Sequence, residues 1–562
     1  MMASRLIDRI GEFNPQLFRE IKGRLTPRNL LVTAATSFVG QLLIFLYFTA
    51  LLPTKETFNR YCTGARPADV YPNYYSTGND YCIRDLTGQI MLLKPLWWLD
   101  LFFALSIMGI FAILIIGSYV LIADLSKEES RGTLNFIRLS PEMAKNIFTG
   151  KIFGVPILLY TAIGLAAPLH IVAGLKAHIP SHLILGFYGV VVAACAFFYC
   201  ASLVFTLATG WLGGFQSWLG SGLVFLFTFS AMTFTSGSFG GYSTTFDWLN
   251  LLYPGFVLPY LVKATFIAPA KISYFNNGGL SDLTWYGHAL WANAFTGMGF
   301  IILHFSLWTY ALTKALKRRF YNPLATLLSK SQSYWLTACF TFVGMGFTLQ
   351  NVTEKTLLTN LSIFNAFLVV FFLILIVCLS PHRQVLQDWA RYRHQEKNRQ
   401  SLLKELAFGD KSPSTVCLGL NLLIVLAFVT PIILLSPLKE YKLSGLAGFF
   451  LGLNMMLIYG VVSQWLLLQK NSRRAIVATS GVALIMVAPL LCFGALGIAP
   501  GDNAFVWTFS VLPIVAIEYA SKTTIALAIF AQWTVLAAMG LHMTKQLRQA
   551  GASASKVLMA TN

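Results

Sequence analysis

Of the 562 residues, 56% are apolar and only 11% are charged, and the mean hydropathy is +0.65. A soluble domain carries about a quarter charged residues, so a soluble α/β enzyme and a disordered tail are both excluded. The formal charge of +19 calls for no nucleic acid if Lys and Arg gather in loops on the cytoplasmic side of a membrane.

The composition describes an all-α integral membrane protein with room for about twelve spans of ~20 residues. The first apolar run, 29–52, starts too late and is too long for a secretory signal. Thr26-Pro27 before it supplies an N-cap and a Pro at the first helical position. Asn14-Pro15 repeats that signal before QLFREIKGRL, where Leu17, Ile21 and Leu25 recur at i+4 while Arg19, Glu20, Lys22 and Arg24 face elsewhere. This is the pattern of an amphipathic helix on a membrane surface, or of a soluble cap helix.

A polar loop follows at about 53–96. It contains Cys62 and Cys82, the one cysteine pair within a polar loop, and a disulfide can join them if the loop faces an oxidising compartment. Cys195, Cys200, Cys339, Cys378, Cys417 and Cys492 lie in or beside apolar runs and read as small buried hydrophobes. No CxxC pair and no His/Cys spacing suggests a metal.

Further spans are expected near 97–123, 152–175, 182–208, 212–235 and 286–313, the last ending on Lys314, Lys317, Arg318 and Arg319. Within 236–285, the stretch 251–268 carries two prolines and Lys263 and reads as a short re-entrant or interfacial helix pair. Spans near 334–350, 358–379, 415–436, 443–469, 475–499 and 519–541 complete a second half. Tyr321-Asn322-Pro323-Leu324 echoes Phe13-Asn14-Pro15-Gln16 there, and Gly448 and Gly452 permit close helix packing. Two six-span halves, 29–313 and 334–541, imply a parallel repeat, with an N-terminal segment 1–28, a linker 314–333 and a tail 542–562. Both termini are then cytoplasmic, in a plasma or inner membrane. Of the 41 basic residues, 29 fall in the cytoplasmic segments 1–28, 124–151, 314–330, 381–413, 470–474 and 542–562, and five of the remaining 12 lie in the 53–96 loop.

The segment 124–151 reads DLSKEESRGTLNFIRLSPEMAKNIFTGK. Ser126 with Glu129 three residues later is a capping-box pattern, so a short helix is expected to begin there, with Leu134, Phe136 and Ile137 on its apolar side and Glu128, Glu129 and Arg131 near its first turn. Ser140-Pro141 is expected to cap a second helix that runs into the third span. Such an elbow is either a solvated loop or a docking element that passes force to the membrane helices.

At these residues the chain resembles a known family. Glu129-Ser130-Arg131-Gly132-Thr133-Leu134, then Leu139-Ser140-Pro141, Ile147 and Gly150-Lys151, are similar to the cytoplasmic motif of ABC-2 type permeases, the membrane subunits of ATP-binding cassette exporters. The resemblance covers about residues 1–210. It implies that this segment is a coupling helix seated in a cleft of a separate ATPase dimer. Glu128, Glu129, Arg131, Gly132, Thr133, Leu134, Leu139 and Pro141 are then its coupling residues, Glu129 and Arg131 foremost. It also implies that the helix from Asn14 to Leu25, with Pro15, Arg19 and Glu20, is the family's interface helix. Typical members have six spans and dimerise, whereas this chain has about twelve. The loop 381–413 lacks the Gly-Thr-Leu signature and is either a degenerate coupling loop of a fused pair or a basic surface helix. One permease chain or two per ATPase pair follows from that choice.

No GxxxxGK[ST] loop occurs, so ATP, Mg²⁺ and hydrolysis belong to the partner, and this chain is expected to be neither an enzyme nor a cofactor binder. Two other classes fit less well. A secondary transporter would place ionisable groups deep in its spans, yet Asp100 and Glu518 lie near predicted ends and His304 is the main central candidate. A membrane enzyme would need clustered His, Asp or Glu at a membrane edge. A scaffold or assembly protein leaves no distinguishing mark.

Overall fold

The computed structural model describes residues 11–64, 80–236, 244–268, 271–272, 280–350, 353–395, 401–436, 442–471 and 473–560. Residues 1–10 of the N-terminal segment, 65–79 of the first polar loop, parts of 236–285, residues 396–400 of the 381–413 loop and the last two residues of the tail lie outside them. Among the described residues, eleven helices are long and apolar enough to cross a membrane. They are Pro27–Ala50, Lys94–Ser130, Ile157–Lys176, Ser181–Ala208, Gly210–Thr235 and Ala294–Tyr321, then Thr356–Leu379, Thr415–Leu435, Lys442–Leu468, Arg474–Ala495 and Lys522–Ala552. The protein is a mostly helical multi-pass membrane protein, in keeping with a place in a plasma or inner membrane. Its contacts form two compact units, Met1–Tyr242, Asp247–Leu283 and Ala289–Tyr321 against Ser243–Phe246, Thr284–His288 and Asn322–Asn562.

In the first unit, Pro27–Ala50 buries none of its side chains and is tied to its neighbour by Ser37 Oγ, which donates to the Ala162 carbonyl at 2.7 Å. The helix Lys94–Ser130 has 37 residues, about 56 Å at 1.5 Å per residue. The hydrocarbon core is about 30 Å thick, so its last turns stand clear of it. A π-helical segment at Ala112–Ile116 interrupts its regular turns. There Tyr199 donates to the Ile113 carbonyl at 2.6 Å, a side-chain insertion of the kind that distorts a helix ladder. The stretch 251–268 forms two short helices, Pro254–Val257 and Leu258–Lys263, with Leu251, Phe256, Leu258 and Leu261 buried, and neither is long enough to span. Cys62 and Cys82 form a disulfide beside the two-residue strand pair Phe58–Asn59 and Asp80–Tyr81.

In the second unit, the span expected at 334–350 is the helix Lys330–Thr348, which is not among the eleven. Its Ser333, Thr337, Thr341 and Thr348 are fully buried. Thr337 donates to Asn421 Oδ1 at 2.6 Å, and Asn421 Nδ2 donates to Ser333 Oγ at 3.0 Å. These buried hydroxyls dilute its hydropathy. The Asn322-Pro323 echo starts no helix; Asn322 accepts from the Leu324 N–H at 3.0 Å in a local turn instead. The helix that holds the last expected span continues well beyond 541, running from Lys522 to Ala560. At about 58 Å it overshoots the membrane core, and Gly551 packs against Arg383–Gln395, where a Cβ would stand 2.8 Å from the Ala390 carbonyl. The basic loop 381–413 is therefore partly covered. Gly452 admits Asn365, whose amide nitrogen a Cβ would meet at 2.8 Å, and Gly448 admits Ile514, whose Cα a Cβ would meet at 3.1 Å. Cys492 is exposed rather than buried, since its helix Arg474–Leu496 buries few residues.

Candidate functional site

The elbow differs in detail from its expected form. Ser126 begins no helix, because the span helix continues through it to Ser130. The break falls at Gly132, whose φ of 71° and ψ of 0° lie in the left-handed region that glycine adopts without penalty. Its N–H donates to the Glu129 carbonyl at 3.1 Å. A short helix Thr133–Leu139 follows. The second helix, Ala144–Gly154, begins after Met143 rather than at Ser140-Pro141; Ser140 Oγ instead donates back to the Ile137 carbonyl at 2.7 Å. Within the short helix Leu134 is 1% exposed and anchors it, while Phe136, Leu139 and Met143 are 77%, 84% and 64% exposed. An apolar tip thus stands on a buried root.

The helix Pro15–Arg24 has Asn14 as N-cap, its Oδ1 accepting from the Leu17 N–H at 2.9 Å. The same side chain donates to the Asn146 carbonyl at 2.8 Å, which sews the helix start to Ala144–Gly154. Pro15 takes the first helical position. The buried face of this helix is mostly polar: Asn14, Gln16 and Glu20 are 4%, 8% and 7% exposed, beside Ile21 at 9%. Gly150 and Gly154 permit the approach, since a Cβ at Gly150 would stand 2.8 Å from the Leu17 nitrogen and one at Gly154 2.5 Å from Glu20 Cβ.

Under this contact lies a buried ion cluster. The Lys151 ammonium is 2.8 Å from Asp124 Oδ2, 2.8 Å from Glu128 Oε2 and 3.8 Å from Glu20 Oε1, and its side chain is 1% exposed. Arg24 meets Asp124 at 2.6 Å and Glu20 at 3.2 Å; Arg19 meets Glu128 at 2.8 Å and Glu20 at 3.2 Å. Three acids and three bases from the N-terminal helix, the end of the second span and the second elbow helix neutralise one another, and a buried charge requires such pairing. Glu20, Asp124 and Glu128 have oxygens within 4.8 Å of one another, as a cation would need. Lys151 supplies the positive charge at that point.

Glu128 therefore points into the cluster, and Thr133 Oγ1 donates to its carbonyl at 3.1 Å. Glu129 turns to the other side of the helix, against Gly210, where a Cβ would meet both its oxygens at 3.2 Å, with Arg138 and Arg319 facing its charge. Arg131, Thr133, Leu139 and Pro141 face outward. The foremost pair separates: Arg131 is exposed, and Glu129 is packed within the unit. Asp124 and Gly154 were not singled out from the sequence, and Arg24 and Lys151 were named only within the helix pattern and the motif, with no ion pair expected of them. The Gly150–Gly154 spacing and an acid closing an apolar run were the signals present.

The central histidine is accounted for by neighbours. His304 Nε2 accepts from the indole N–H of Trp248 at 2.9 Å and of Trp308 at 2.8 Å, while its Nδ1 has no hydrogen-bond partner among the described residues. Asp100 is held by Arg60 at 3.1 Å and the Tyr61 hydroxyl at 2.7 Å. Glu518 is exposed. No protein-family model, no curated protein and no solved structure matches this chain.

Proposed function

We propose that this chain is the permease subunit of an ATP-driven ABC-2 type transporter, an exporter, worked by a separate ATPase dimer through the 124–151 elbow. One observation carries the reading: the exposed tip of Phe136, Leu139 and Met143 is rooted on the ion cluster joining Pro15–Arg24, the second span and Ala144–Gly154. A partner that grips the tip pushes on a charge-locked base, and rigid elements carry that displacement into the spans. An apolar tip fits an apolar cleft, and the exposed guanidinium of Arg131 fits a carboxylate at its rim. In the second unit the corresponding loop packs against the C-terminal helix through Ala390 and Gly551. This favours a single coupling elbow per chain, and hence two permease chains for two ATPases.

Mild-detergent purification with identification and counting of bound subunits tests the reading. Recovery with an ATPase at 2:2 supports it, and 1:2 moves it to a fused pair with two coupling loops. Intact transport with no ATPase present would overturn it.

A further inference from the structure

The first unit holds a cavity of about 470 Å³ at the end of its first two spans where the disulfide-tied segment emerges, lined among others by Tyr47, Phe48, Leu51, Arg60, Asp100 and Phe103. That volume is in the range of small-molecule sites. One wall is Pro27–Ala50, which buries no side chain against the protein; Tyr47 is 62% exposed and Leu51 41%, so this wall opens toward lipid. Trp97 donates its indole N–H to the Phe48 carbonyl at 2.8 Å and lies edge-on to Trp98. Trp97 itself is buried, whereas Tyr47 is the exposed aromatic of this wall, and an exposed Tyr next to a polar segment is the composition found at headgroup depth. The floor is polar. Asp100 accepts from Arg60 on one oxygen and from the Tyr61 hydroxyl on the other. Its side chain is 5% exposed against 30% for Arg60, so the charge shown to the cavity is the guanidinium's. A guanidinium at headgroup depth above an aromatic and aliphatic wall matches a molecule with a negative head and a greasy tail.

We propose that this cavity binds an anionic amphiphile, its phosphate or carboxylate head on Arg60 and its chain along Phe48, Leu51 and Phe103. The assignment is independent of the ATPase partner and needs none for its test. The purified full-length chain is photolabelled with a phosphatidylglycerol bearing a diazirine in its acyl chain, and adducts are mapped by mass spectrometry. Adducts are expected on the peptides holding Tyr47–Leu51 and Phe103. The double variant Arg60→Gln with Asp100→Asn keeps a neutral hydrogen-bonding pair, and Ala104→Leu, at another residue lining the cavity, fills it without altering charge. Each is expected to reduce labelling there by about tenfold, the weight of one charge-assisted hydrogen bond or a comparable loss of contact. Should the double variant fail to fold, Ala104→Leu decides. Unchanged labelling in Ala104→Leu would overturn the proposal, as would equal labelling by a phosphatidylcholine probe. Displacement by millimolar inorganic phosphate alone would assign the site to a free anion and overturn the amphiphile.

Discussion

The Lys151 ammonium lies 2.8 Å from Glu128 Oε2, with 1% of the lysine side chain exposed. The two residues are 23 positions apart and belong to different helices, so this ion pair fixes the angle at which the elbow leaves the membrane. Replacing Lys151 by Met leaves three carboxylates, Glu20, Asp124 and Glu128, with only Arg19 and Arg24 to balance them. Breaking one side of a buried pair costs about 3–5 kcal/mol. The thermal midpoint of Lys151→Met in detergent is expected to fall accordingly, and adding Glu128→Gln is expected to restore part of the loss.

The glycines under Pro15–Arg24 make a separate prediction. Gly154→Leu forces a side chain into the position of Glu20 Cβ, an overpacking worth about 1–3 kcal/mol. Hydrogen exchange along 15–24 is expected to quicken while the spans keep their protection. Gly23, which has nothing within 4 Å of an added Cβ, serves as control.

Two leucines five residues apart separate structure from docking. Leu134 is 1% exposed and Leu139 84%. Leu134→Ala is expected to cost about 2–5 kcal/mol of stability. Phe136→Ser with Leu139→Ser is expected to leave the unfolding midpoint within about 0.5 kcal/mol yet to abolish co-purification of the ATPase. Retained binding in the surface pair would remove the tip from the coupling mechanism.

Lys330 gives a pH signature. Its ammonium donates to the Leu406 and Pro413 carbonyls and to Ser412 Oγ at 2.7, 3.0 and 2.6 Å, and burial pushes its pKa down from 10.5 to about 8. The folded chain then binds this proton less tightly than the unfolded chain does. This group's contribution to stability therefore rises between pH 8 and 10.5. The midpoint of the parent relative to Lys330→Met is expected to climb over that interval and to stay level below it.

Much of the helical layout was legible because a span needs a continuous apolar run, and such runs stand out in a chain with few charges. Asn14-Pro15 and Thr26-Pro27 marked their helices correctly, since a cap acts through neighbours in sequence. Ser126 misled because the capping pattern also fits the interior of a long helix whose end is set four residues beyond Glu128, at Gly132. Ser140-Pro141 misled because Ser140 found a closer acceptor behind it. At 330–348 the hydroxyls that dilute the apolar run find partners on Thr415–Leu435 some 80 residues away, beyond any local window.

At the elbow, the residue types were readable and their directions were not. Glu128 and Glu129 are adjacent, so a helix turns them about 100° apart, one toward Lys151 and the other toward Gly210. By itself the sequence determined that the chain is helical, lies in a membrane and concentrates its charges in a few segments, because apolar length and charge placement are properties of the chain alone. Which charges meet, which glycines are contacts and which leucine is left exposed were decided only by tertiary packing, because those depend on helices far apart in sequence meeting at one place.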